Sequence, residues 1–185
     1  MSKVRDSVSS VTEETKELIS IPNLSVSISS VISEIVSKNS DADYNPDDPF
    51  ATEHISKVTI EYYIERIKKY TGLENSTLII SLIYADRFCS MSGLILQPHN
   101  VHRILLACVL MAIKYNEDTF YANDYYAKVG GITPKEINEL EYYIIKLLNF
   151  NLFVQRDLFE QYVRYLSHYL KKEKKDSGNG KKKKH

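Results

Sequence analysis

Tryptophan is absent from this chain, cysteine occurs only twice, and the formal charge over 185 residues is +0. Long apolar stretches are missing too. The longest unbroken run, Ile104 to Ile113, has ten residues, against the roughly 20 that span a bilayer, so no membrane association is expected. The opening MSKVRDSVSS lacks the apolar core of a secretory signal. Cys89 and Cys108 both fall inside apolar helical patterns and read as buried thiols of a reducing compartment. An intracellular protein of the nucleus or cytoplasm is expected.

Signatures of catalysis are equally scarce. No Ser-His-Asp or Cys-His arrangement carries a local motif. Gly130-Gly131 lacks the Gly-Lys-Ser/Thr that completes a phosphate loop, and a helix stop explains it better. His99 and His102 stand three apart, yet no Cys, Asp or Glu joins them at ligand spacing, so no metal is expected. No cofactor and no enzymatic activity are expected either.

The zero net charge conceals an asymmetry. Residues 171–185 hold 8 Lys against Glu173 and Asp176, a local charge of +6, which leaves −6 on the preceding 170 residues. An acidic body argues against a nucleic-acid binder. The Lys-rich tail, 171–185, reads as disordered. It serves either as a nuclear-import or polyanion-binding patch or as a plain solvated end.

What is present is a core. Hydrophobic residues make up 43% of the chain, charged residues 26%, and Tyr reaches 14, enough for one domain whose core has polar tips at its edges. The periodicity is helical throughout, with no convincing strand, so the fold class is all-α. Residues 1–22 read as a flexible N-terminus, and 23–49 as a helix followed by the acidic loop NSDADYNPDDP. Five helices follow within 50–154: near Thr59–Tyr70, Ser76–Ser90, Pro98–Tyr115, Asn123–Val129, and from Thr133 to Asn149. Pro98 suits a first turn, and Thr133-Pro134-Lys135-Glu136 is a capping box. A C-terminal helix is expected over 155–170. The third of the five is apolar all round and belongs at the centre of the others.

Three charged residues break the pattern. Asp86 follows Ile79, Leu82 and Ile83 on a buried stripe and needs a partner; an internal ion pair or cap is expected rather than catalysis. Lys114 closes the apolar helix, and Glu141 shares a stripe with Ile137, Leu140, Ile144, Ile145 and Leu148. Lys114 either snorkels to water or acts with Glu141. Opposite charges on separate core helices can hold the unpaired backbone groups at the ends of a partner helix.

These residues carry a resemblance. Tyr84-Ala85-Asp86-Arg87-Phe88 looks like the cyclin-box Y-x-D-R-F signature. Lys114-Tyr115-Asn116-Glu117 is similar to the K-[FY]-x-E ending the third helix of the box, and Leu140-Glu141 with KLLNFNL resembles its fifth. The block YAKVGGI resembles the P/U-type, or Pho-type, cyclins most specifically. The resemblance covers roughly 50–154 as a single cyclin box.

It implies a regulatory subunit, monomeric when free, that activates a cyclin-dependent protein kinase by holding its C-helix in the active position. On this reading Lys114 and Glu141 bind backbone near that helix. Tyr115, Ile145, Phe150 and Leu152 match the apolar positions that receive an Ile from it. Glu117 and Asp118 lie beside the expected kinase surface, and Asp118 is further expected to pair with basic residues of the activation segment. Two departures stand out. The first helix reads TIEYYIERIKKY rather than the M-R-A-I-L-like sequence of substrate-recruiting cyclins, and Arg66 is the candidate partner for Asp86 in place of the family's usual arginine. The rival reading is a cyclin-fold scaffold in transcription without a kinase.

Overall fold

The computed structural model describes residues 24–179, with side chains through 169. Seven helices and no strand occur among them: α1 Leu24–Lys38, α2 Ile60–Thr71, α3 Asn75–Ser92, α4 Val101–Asn116, α5 Asn123–Gly130, α6 Pro134–Leu147 and α7 Arg156–Asn179. The expectation for residues 1–22 lies outside the described residues. None of the described helices is long and apolar enough to cross a membrane.

Local chemistry sets most boundaries. Thr59 caps α2 by accepting from the Tyr62 amide, and Gly72, in the left-handed region at φ 70°, ends it. Gly131, at φ 74°, ends α5 in the same way; an L side chain there meets the clash that glycine avoids. Before α6, Thr133 accepts from the Glu136 amide while the Glu136 carboxylate accepts from the Thr133 amide, the reciprocal cap foreseen above. Glu136 also pairs with Arg103 of α4. The Thr133 bonds, with Arg103 beside them, hold this carboxyl below its ordinary pKa.

All ten residues of the apolar run in α4 are buried. Helices α3, α5 and α6 lie against α4. Helix α2 reaches it where Ile64 and Ile67 line a small void with Leu105 and Val109. Each buried Leu or Ile contributes about 1.5–3 kcal/mol, so this helix anchors the fold. Helix α1 packs on α2 and α7, and α7 also contacts α3, closing a second layer. Tyr84, wholly buried, donates to the Leu152 carbonyl at 2.6 Å and ties α3 to the segment after α6.

Two expectations are corrected here. Pro98 lies in a turn before α4, not in its first turn. Asn100, 1% exposed, holds this turn: its Oδ1 accepts from the Gln97 amide, and its Nδ2 donates to Asp48 Oδ2 and the Ile95 carbonyl. These bonds keep the turn outside the helix and satisfy the buried Asp48 carboxylate, whose other oxygen accepts from the Phe50 amide. At the other end, α7 runs on to Asn179 instead of stopping at 170. Its backbone is therefore helical across the first part of the stretch read as a disordered tail; residues 180–185 lie outside the described residues.

Candidate functional site

Lys114 stands in the last turn of α4, where a cation also complements the helix dipole. Glu141 stands on α6 at the edge of the stripe formed by buried Ile137, Leu140 and Ile144. The two meet: Lys114 Nζ donates to Glu141 Oε1 at 2.6 Å, with 24% and 20% of their side chains exposed. Asn123, the first residue of α5, donates to Glu141 Oε2 at 2.7 Å and to Asn138 Oδ1 at 2.5 Å. Three helix segments thus converge on one carboxylate. A cation and an anion are held side by side, each partly open to an incoming donor or acceptor. The sequence reading missed Asn123 and Asn138. The sequence signal for Asn123 was no more than its place at the start of a helix.

The other anticipated contacts divide. Tyr115 is 38% exposed and Phe150 71% exposed. Phe150 sits in a corner after α6, where Asn149 at φ 50° and Phe150 at φ 57° are successive left-handed residues. The Phe150 amide bonds the Ile145 carbonyl at 3.0 Å, bringing the corner back onto α6. Ile145 is partly buried and packs against the core. Leu152 is buried, with its carbonyl held by Tyr84, so it supports the surface from beneath.

Asp118 is exposed. Glu117 is not a free surface acid: its carboxylate accepts from the Glu74 amide at 3.2 Å and from the Thr77 hydroxyl at the start of α3. Burial raises its pKa, the bonds from Glu74 and Thr77 pull it back in part, and the nearby Glu74 charge raises it. A raised folded pKa means that ionised Glu117 weighs against folding at neutral pH, and that acidification relieves the burden. Glu117→Gln is therefore expected to melt above the wild type at pH 7. The gap should close as pH falls below the ordinary carboxylate range; a variant less stable at pH 7 contradicts this.

Asp86 requires a correction. It is exposed rather than buried, and it accepts the Tyr162 hydroxyl of α7 at 2.5 Å. Arg66 donates instead to the Lys128 carbonyl at 3.2 Å. No ion pair of Asp86 occurs among the described residues. The stripe reading failed because the C-terminal half of α3 leaves that side open between α1 and α7. The two histidines serve backbone: His99 bonds the Thr52 carbonyl and His102 the Val58 carbonyl.

An all-helical box around an apolar central helix, with a Lys–Glu pair at that helix's end, defines a class already suggested by the motifs. The cyclin family model matches residues 7–152, and the chain belongs to the cyclin family. Its similarity is to plant P- and U-type members. It is 39% identical over 118 residues to cyclin-U2-1 of Arabidopsis thaliana, covering 63% of this chain and 53% of that protein. It is 32% identical over 148 residues to cyclin-U4-2 of the same plant, covering 77% of this chain and 68% of that protein. To cyclin-P3-1 of Oryza sativa subsp. japonica it is 36% identical over 105 residues, 57% of this chain and 44% of that protein. The chain spans about half the length of most of the curated relatives it matches.

Proposed function

We propose that this chain is a regulatory subunit that binds a cyclin-dependent protein kinase and activates it by holding the kinase C-helix in its active position. The observation that carries the proposal is the Lys114–Glu141 pair, steadied by Asn123, on a chain of the cyclin family. The first turn of a helix leaves amides unpaired, and the chain leading into it offers free carbonyls beside them. An ammonium donates to such carbonyls and a carboxylate accepts from such amides, in charge-assisted bonds stronger than neutral ones. Tyr115, Ile145 and Phe150, with Leu152 beneath, supply the apolar contact that helix-in-groove recognition needs.

Activation follows from differential affinity. A subunit that binds the helix-in state better than the helix-out state shifts the kinase toward it. In that state the C-helix Glu pairs with the ATP-binding Lys, a pair required for phosphoryl transfer. Asp118, by its place just beyond α4, extends the contact to basic residues of the activation segment and lessens the need for a phosphate there.

The test is reconstitution with an unphosphorylated cyclin-dependent kinase, read as phosphorylation of a generic peptide. The full chain is expected to co-purify with the kinase and raise its rate. Asp118→Asn is expected to lower that rate several-fold while leaving the rate of the phosphorylated kinase nearly unchanged. Absence of co-purification rejects the regulatory reading; equal rates for Asp118→Asn reject only the role of Asp118.

A further inference from the structure

An open groove of about 500 Å³ lies between α1, α3, the loop after α3 and α7. Such a volume falls within the roughly 300–1,000 Å³ usual for ligand sites. Ile35 at 39%, Ile95 at 51% and Tyr165 at 58% exposure converge on it, with Leu82 at its wall. Single exposed apolar residues are ordinary, whereas several gathered around one hollow mark an interaction surface.

The chemistry of the hollow is one-sided. Asp86 lines it, and no Lys, Arg or His does. The adjacent Arg87 is committed elsewhere, donating to the Asn151 and Phe153 carbonyls. Tyr162 donates its hydroxyl to Asp86 Oδ2, fixing the carboxylate without neutralising it. Asp86 is exposed, so its charge selects a cation for the groove more than it adds affinity. A neutral or acidic occupant, by contrast, covers the charge and leaves it uncompensated.

We propose that this groove docks a peptide segment of a partner protein, with apolar side chains flanking one Lys or Arg that pairs with Asp86. No residue lining the groove belongs to α4, α5 or α6, which carry Lys114, Asn123 and Glu141. The inference therefore stands apart from the kinase reading, and either can fail without the other.

The test is to pan a display library of random twelve-residue peptides on the full chain, then measure the enriched peptides by fluorescence polarisation. Apolar residues around one Lys or Arg are expected, with affinity several-fold weaker for Asp86→Asn and at least tenfold weaker for Ile95→Glu. Replacing the basic residue by Gln should remove the difference between wild type and Asp86→Asn. Both positions are at the surface, and unchanged helical circular dichroism and melting would show that the variants fold. No enrichment, or equal affinity for wild type and both variants, overturns the proposal. So does a dimer in sedimentation that Ile95→Glu dissociates, since a second copy is then the occupant. A cross-link within the monomer from a lysine placed by Ile95→Lys to residues 1–23 also overturns it, by making the chain its own occupant.

Discussion

Reversing both charges, as Lys114→Glu with Glu141→Lys, is expected to restore most of the stability lost in either single variant while leaving kinase capture abolished. The pair is only about one-fifth exposed on each side, so each single change strands a partly desolvated charge at a junction of three helix segments. Both single reversals bring like charges together at that junction, and a lower melting temperature follows for each. The double variant re-forms an ion pair between α4 and α6, although Asn123, which donates to Glu141, loses its acceptor there. A partner helix distinguishes the two arrangements. On the proposed reading, backbone near that helix presents a carbonyl to the ammonium and an amide to the carboxylate, and the reversal mismatches both. Truncating one member of a buried charge-assisted contact costs about 2–5 kcal/mol in binding, so a loss of roughly thirtyfold to a few thousandfold in affinity is expected. Calorimetry on the free chain and pull-down with the kinase separate the two effects. Normal kinase capture by a well-folded double variant would reduce the pair to a brace between helices.

The second large effect concerns packing. Gly130, at the end of α5, lies against Leu106 of α4, and a Cβ added there would stand 2.2 Å from Leu106 Cδ2. Leu106 is 1% exposed and has little room to turn aside. Gly130→Ala is therefore expected to cost about 2 kcal/mol as overpacking, or roughly 4–8 °C in melting temperature for a chain of this size. The Gly130 carbonyl also accepts the Tyr63 hydroxyl at 3.2 Å, so a shift of α5 is felt in α2. Leu106→Ala alone leaves a cavity costing about 2–5 kcal/mol, and a new methyl at position 130 fills part of it. The double variant should fall short of the summed losses by more than about 0.5 kcal/mol. Strict additivity in a thermal-denaturation cycle would show that the two positions do not compete for space.

The same two positions show what was legible in advance. Gly130-Gly131 marked a helix end, and Gly131 ends it with its left-handed backbone; the close approach of Gly130 to Leu106 is a long-range fact that no local pattern carries. Thr133 through Glu136 were readable because a capping box closes within four residues. Pro98 was not, because Asp48, some fifty residues earlier, holds the turn through Asn100. Lys114 and Glu141 were identifiable as charges out of place on apolar helices, but their 2.6 Å contact and the part of Asn123 depend on how α4, α5 and α6 are assembled. Asp86 misled for the complementary reason: periodicity gives the side of a helix, not whether a neighbour covers it.

One consequence follows from the corner at Asn149 and Phe150. Two successive non-glycine residues with positive φ are an uncommon backbone state, retained only where the surroundings over-determine it. Here the Phe150 amide is latched to Ile145 while the ring stays 71% exposed. The aromatic group is carried outward by a fixed backbone, so in the proposed complex little backbone freedom is left to lose on association. Loosening that corner is expected to weaken the proposed complex without deleting one atom of the contact, an effect that would look like a change of affinity and originate in the backbone behind it.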